Sequence, residues 1–359
     1  MVDQKRLVET FLDLVKIDSP SGEEEEMAKE LMKRLKTLGF KVLRDTYGNV
    51  IGTLDGAGEP IMLNAHMDTV EPGRGIKPII DGDIIKSDGT TVLGGDPKAG
   101  VTAILEALTS VIEDGKKHLP IEVVFTREEE SSLGGAINLD YSQISAKRGV
   151  TFDGEKELHN IDISSPGYNS VNVTVIGRAA HAGADPEKGL SAIQIASEII
   201  SQLQLGRIDK ETTANIGLIE GGSARNAVPE KVHFKGEIRS RNKEKLEKHT
   251  KHFQEVFDNV LSKYPNAKID ADISREFEAY FFDENHRVIK HIREVFKQMN
   301  LSPNLQHSGG GTDVNIFHTH GIEAVVVGTG DFDAHTTREY VVIPQMVQAA
   351  EFCQKLISV

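Results

Sequence analysis

Apolar positions along this chain fall into two rhythms, one near helical spacing and one of short continuous or alternating runs. Leu7, Val8, Phe11, Leu12 and Val15 recur three and four residues apart, which predicts an amphipathic first helix. Ser19-Pro20-Ser21-Gly22 interrupts it. Glu23 to Glu26 then fill the first turn of a second helix, where the macrodipole favours acids, and this accounts for the run better than a cation cluster does. Gly39 closes that helix, and short strands are expected over 41–43 and 50–54. Next comes Ile61-Met62-Leu63-Asn64-Ala65-His66-Met67-Asp68, a buried strand running out before Pro72-Gly73 forces a turn. Strand side chains alternate, so His66 and Asp68 share one face. A ligating histidine with its orienting carboxylate fits this pair, and so does a strand end meeting solvent.

Beyond Gly94-Gly95-Asp96-Pro97-Lys98-Ala99-Gly100, a helical pattern runs through Val101, Ile104, Leu105 and Leu108. A strand over 121–125 leads into Glu128-Glu129-Glu130, and one over 149–152 delivers Asp153. Strands alternating with helices predict an α/β domain with a mostly parallel sheet. Ligands of such sheets bind beyond the carboxyl ends of the strands, where His66, Glu128 to Glu130 and Asp153 would converge. After Pro166-Gly167 the pattern changes. Val171, Val173 and Val175 alternate with polar residues, followed by helix 192–205, strands 213–219 and 232–238, helix 243–261 and strand 267–273. This β-α-β-β-α-β order is the ferredoxin-like split βαβ. Residues 167–275 are therefore expected as an inserted domain, dividing a discontinuous first domain of 1–166 and 276–359. Helix 286–299, strand 324–327 and helix 345–357 complete the first domain.

Composition narrows the function. The 359 residues suit two domains, and 38% apolar with 27% charged residues is ordinary for a globular protein. No segment approaches a membrane span, and the N-terminus lacks a signal-peptide apolar core. One cysteine, Cys353, excludes a disulfide framework and points to a reducing cytoplasm. A net charge of -14 argues against nucleic acid, whose binding needs phosphate neutralisation.

The motifs, in order, are Asn64-Ala65-His66-Met67-Asp68-Thr69-Val70, Gly95-Asp96-Pro97-Lys98-Ala99-Gly100, the glutamate run before Gly135-Ala136, Ala180-His181-Ala182-Gly183, Ser308-Gly309-Gly310-Gly311-Thr312-Asp313 and Ala334-His335-Thr336. Their ordered set resembles the M20 family of co-catalytic zinc peptidases, in its peptidase T-like tripeptidase branch. The resemblance spans essentially the whole chain and implies that 167–275 is a lid or dimerisation domain, through which a homodimer can form. It implies two zinc ions, replaceable by cobalt or manganese, bridged by Asp96. His66 and Asp153 would complete one site, Glu130 and His335 the other, with Asp68 orienting His66. Two such cations can clamp a nucleophile and a scissile carbonyl.

The family pattern sets an adjacent Glu-Glu shortly before a Gly-Ala pair, so by that resemblance Gly135-Ala136 implies Glu129 as the general base and Glu130 as the ligand, leaving Glu128 a spectator. Ser131-Ser132 stands where the family often has a glycine, so a slip of one residue stays open. Pro97 replaces a second aspartate common in the family, whose members hold that bond cis, so Asp96-Pro97 is expected cis. His181 matches the histidine that stabilises the oxyanion, while Asn226, Arg239 and Gly310 match substrate-binding positions. Of the other histidines, His318 and His320 match no ligand and read as structural. His249, His252, His286 and His291 read as solvated on polar helix faces. His307 neighbours the glycine run and reads as a pocket-lining residue that binds no metal. The resemblance implies an exopeptidase acting on short peptides, most directly a tripeptide aminopeptidase. Carboxypeptidases and N-acyl-amino-acid deacylases use the same apparatus. A non-catalytic metal-binding protein would have no need for a free acid such as Glu129.

Overall fold

A computed structural model describes all residues from 1 to 359. They fold as two compact units. The first comprises Met1–Ile163, Phe282–Ser308 and Thr312–Val359, the second Ser164–Phe281 with Gly309–Gly311.

In the first unit the sheet runs Lys41–Arg44, Val50–Leu54, Ile121–Thr126, Ile61–His66, Arg148–Gly154, Glu323–Gly328, Asn160–Ser165. Its four central strands, from Ile121–Thr126 to Glu323–Gly328, are parallel, and its margins are antiparallel. Every residue of Ile61–His66 and Ile121–Thr126 is buried, as a centre covered on both faces requires. Helix Gln4–Val15 starts on Asp3, whose side chain accepts from the Lys5 and Arg6 amides, and it buries Leu7, Phe11, Leu14 and Val15. It packs with Gly95–Glu113 and Ile343–Ile357. Phe152, Phe296 and Phe352 meet within this core, each fully buried and contributing roughly 1.5–3 kcal/mol. Because the four central strands point one way, their carboxyl ends share one edge. His66 closes one of them, Thr126 another, and Asp153 sits one residue from the end of a third.

Several short elements lie outside the expected ones, two of them in pairings of the first unit. Strand Asn160–Ser165 pairs antiparallel with Glu323–Gly328, and a hairpin joins Ile79–Asp81 to Ile84–Lys86 through Gly82 at φ 63°.

The second unit is an antiparallel sheet in the order Gly206–Arg207, Thr212–Gly221, Lys231–Ser240, Gly167–Ile176, Lys268–Phe277. The four long strands and helices Ala192–Gln202 and Lys243–Lys263 give the ferredoxin-like arrangement. Gly167–Ile176 alternates buried and half-buried residues, turning Val171, Val173 and Val175 into a core with Ile195, Ile199, Phe234 and Phe253. His249 belongs to this interior rather than to solvent. It is 6% exposed, its Nε2 lies 3.0 Å from the Gln204 carbonyl, and its ring packs on Phe253. In the first unit His286 is likewise engaged, capping helix Arg287–Gln298 with its ring against Phe282. Polar neighbours in sequence mislead for histidine because its apolar ring buries readily once one nitrogen is paired.

Candidate metal centre

At the shared strand edge, four side chains, those of His66, Glu130, Asp153 and His335, gather about Asp96. That residue lies in the first turn of helix Gly95–Glu113, yet its ψ of 111° is extended rather than helical. The preceding Gly94 is left-handed at φ 72°, and the Asp96-Pro97 bond is cis, as is Glu71-Pro72. This break lets the Asp96 carboxylate face outward from a helix that otherwise burrows into the core. Its Oδ1 lies 3.0 Å from His66 Nε2 and its Oδ2 3.3 Å from His335 Nε2. His66 Nε2 is also 3.1 Å from Asp153 Oδ1, and His335 Nε2 is 2.8 Å from Glu130 Oε1. Asp96 thus stands between two His–carboxylate pairs, one oxygen toward each.

The supporting contacts fix these donors. Asp68, fully buried, lies 3.2 Å from His66 Nδ1 and leaves Nε2 directed at Asp96. The same carboxylate accepts the Glu129 and Glu130 amides at 3.0 and 3.2 Å and the Ser21 hydroxyl at 2.6 Å. Glu128 turns away through a left-handed backbone at φ 52°, and its carboxylate is taken by Tyr47 and Arg127. Glu24 anchors that turn by accepting the Glu128 amide at 3.0 Å. Glu24 precedes the acids of the helix start, and no local signal distinguishes it from them. His335 is itself left-handed at φ 62° and half exposed, so it closes the group from the solvent side.

Charge tests whether cations suit this place. Burial, reinforced by Asp96 and Asp313, pushes Asp153 up to about 7 even with His66 beside it. Burial and the nearby Asp153 push Glu129 well above the ordinary carboxylate range, and burial with Asp96 raises Glu130. Burial opposes a charged His66, yet Asp153, Asp68 and Asp96 hold it well above the usual imidazole value. Hydrogen bonds to Asp96 and Glu130 push His335 up to about 11. Burial opposes a charged Asp96, yet His335 and His66 hold it below the ordinary carboxylate range, while the other acids favour their protonated forms. A surplus of buried carboxylates of this kind suits divalent cations. His66, Asp96 and Glu130 also offer ligand atoms within 4.8 Å of one another. Nitrogen and oxygen donors in this mixture fit zinc and its neighbours in the first transition row.

The remaining candidates lie in the second unit. His181 pairs across a two-residue ladder with Ala227, and the Ala182 amide donates to the Asn226 carbonyl, so His181 and Asn226 share one small hairpin. His181 Nδ1 accepts the Gly183 and Ala184 amides at 3.2 and 2.9 Å, which puts the ring proton on Nε2. Arg239 stacks over Tyr168, pairs with Glu237 at 3.0 Å and reaches the Gly309 carbonyl at 3.5 Å. Gly310 is fixed by the Ser165 hydroxyl, which donates to its carbonyl at 2.6 Å. Two buried groups of the first unit lie inside the sequence motifs but had no role assigned there. Lys98 is fully buried and donates to the Ile17 carbonyl, and Asp313 is held by Thr126 and Asn64.

The body, the carboxylate-rich strand edge and the inserted ferredoxin-like unit define a class, the co-catalytic metallopeptidases. A family model described as peptidase dimerisation domain matches residues 163–265, and one described as peptidase family M28 matches 49–168. The YqjE protein of Bacillus subtilis is 38% identical over 100% of this chain and 99% of its own. Aminopeptidase PepT from Bacillus cereus superposes with a TM-score of 0.91 at 37% identity, covering 99% of this chain and 98% of that one. A tripeptidase from Staphylococcus aureus superposes with a TM-score of 0.95 at 35% identity, with the same 99% and 98% coverage. The chain belongs to the M20 family of metallopeptidases, in its peptidase T-like branch.

Proposed function

We propose that this protein is a dinuclear metal exopeptidase that removes the amino-terminal residue from tripeptides, with two zinc ions as its working metals. The observation that carries the reading is the Asp96 carboxylate, with one oxygen 3.0 Å from His66 and the other 3.3 Å from His335. In this reading His66, Asp96 and Asp153 hold one cation and Asp96, Glu130 and His335 the other. When bound, such a pair supplies a water acidified to about neutrality and a Lewis acid for the scissile carbonyl. Glu129 accepts the proton of that water and returns it to the departing amine. Its burial raises its basicity, which suits the task. Asp68 keeps His66 in the tautomer that presents Nε2. His181 offers its Nε2–H to the developing oxyanion, a group that acts on the transition state rather than on the ground state.

Asn226 and Arg239 bind the peptide, with the Arg239 guanidinium gripping its carboxylate and the Gly310 backbone passing close alongside. Residues 1–166 and 276–359 form the catalytic body in this reading, and 167–275 the lid through which two copies pair as a homodimer. A cytoplasmic setting accords with the single cysteine, Cys353, which is buried. No helix is long and apolar enough to cross a membrane. The test is chromatographic analysis of the products from a tripeptide, its N-acetylated form and its C-amidated form. Release of the first residue from the free tripeptide, abolished by acetylation, is the expected result. Release of the last residue, or cleavage of the acetyl group, would overturn the aminopeptidase assignment.

A further inference from the structure

The loop that presents Asp96 is gripped from behind by one side chain. Glu339 is 2% exposed, and both its oxygens are used. Oε2 accepts the Leu93 and Gly94 amides at 2.7 and 2.8 Å, and Oε1 accepts the Asp96 amide at 2.9 Å. Gly95 is tailored to that grip. A Cβ there would stand 2.6 Å from Val341 Cγ2 and 3.1 Å from Glu339 Oε1. The Asp96 amide points back to Glu339 while its carboxylate faces His66 and His335. Glu339 also lies four residues after His335, in a turn closed by its own amide on the Thr336 carbonyl at 3.1 Å. The two ends of the His335–Asp96 pair are thus tied together by one short segment.

An anion beside the first turn of a helix is also what any N-terminal cap would be, and a cap contributes only to folding. Two observations go beyond that. The grip extends outside the helix to Leu93, and it closes on the amide of the one residue placed between both histidines. Lys98, fully buried, lies against the same loop, its Nζ 3.5 Å from where a Cβ on Gly94 would stand and donating to the Ile17 carbonyl at 3.0 Å.

From this geometry we propose that Glu339 is a positioning residue: it sets the distance between Asp96 and His335 and so tunes the affinity of the metal site those two share. The proposal rests on the dinuclear reading given above. Partners behind metal ligands are worth about 10–100-fold in affinity, and the effect of Glu339 belongs in that range.

Cobalt serves as the probe, titrated into metal-free full-length wild type and Glu339→Gln against a competing chelator. Gln keeps the size but presents an N–H₂ to amides that themselves donate, so at least one of the three bonds is lost. The expected result is one of two cobalt equivalents weakened by about 10–100-fold, with an altered visible absorption band, while the metal-free melting temperature stays within a few degrees of wild type. Glu339→Asp restores the charge but withdraws it by one methylene, and is expected to stay weak because distance is what the clamp sets. Should Glu339→Gln not fold, Gly95→Ala strains the same contact from the loop side and is expected to weaken the same equivalent. A folded Glu339→Gln that binds both cobalt ions with wild-type affinity and spectrum would overturn the clamp alone. Wild type that takes up no cobalt would overturn the dinuclear reading, and the clamp with it.

Discussion

Gly100→Ala tests whether helix and strand must touch for the centre to form. Gly100 lies one helical turn beyond Asp96, and a Cβ built there would stand 1.9 Å from the Phe152 carbonyl oxygen. Real Cβ contacts essentially never fall under 3.0 Å, so the helix and strand Arg148–Gly154 must part by about 1 Å. The nearest obstructing atom is a backbone oxygen, and the next, the Phe152 carbonyl carbon and Cβ at 2.9 Å, are fixed by the backbone too, which leaves no rotamer to absorb the clash. Overpacking of this kind costs roughly 1–3 kcal/mol, of which better helix propensity offsets up to about 1. The net loss should lower the melting temperature by a few degrees. The functional cost is larger, because Phe152 adjoins Asp153 and the shift falls between Asp153 and Asp96. Metal ligands tolerate about 0.2 Å, and 1 Å of misplacement can cost about 10²-fold in rate. Metal analysis, calorimetric melting and peptide hydrolysis on the purified variant check this, with Gly217→Ala as control. A Cβ at Gly217 would meet only Asn215 Nδ2, at 3.5 Å. A Gly100→Ala protein with wild-type metal content, rate and stability would show that the close approach has no bearing on the centre.

Glu129→Gln keeps shape and removes the base, so metal content should hold while kcat falls by about 10²–10⁴, and an unchanged kcat would remove Glu129 from the mechanism. His335→Ala should lower metal content and activity together. His181→Ala should leave metal content alone and lower kcat, and elemental analysis beside kinetics separates the two. In metal-free protein Asp313 and Asp153 stand at about 6 and 7 and His335 at about 11, all above their unfolded values. The folded state therefore binds more protons than the unfolded one, through the two aspartates between about pH 4 and 7 and through His335 from about 6.5 to 11, and stability falls as pH rises through those windows. Thermal melts from pH 5 to 7 should show this decline without metal and a stabilisation by added zinc that grows with pH, whereas a metal-free melting point rising over that range would contradict it.

The pattern of residues carried the fold a long way because its strongest signals are local. Continuous apolar runs followed at once by His66 or Asp153 locate strand ends, and alternation puts His66 and Asp68 on the face where they meet at 3.2 Å. The hairpin at Ile79–Asp81 and Ile84–Lys86 had a signal too, Asp81-Gly82 between paired isoleucines, and three-residue strands are easily passed over. Glu24 and Glu339 had none. Each acts by accepting backbone amides from segments 104 and 243 or more residues away, a relation that no periodicity encodes. Lys98 is another case, since a lysine two residues after Asp96 reads as polar loop until the helix around it proves fully buried. The structure thereby adds a layer of buried acidic and basic side chains behind the donors that face the centre.

Anomalous diffraction from crystals of the zinc-loaded protein, measured on either side of the zinc absorption edge, tests the central claim most directly. The account predicts two peaks about 3.5–4 Å apart with the Asp96 carboxylate between them, His66 and Asp153 on one and Glu130 and His335 on the other. A single peak, or a peak held by Glu129 with Glu130 left free, would contradict it.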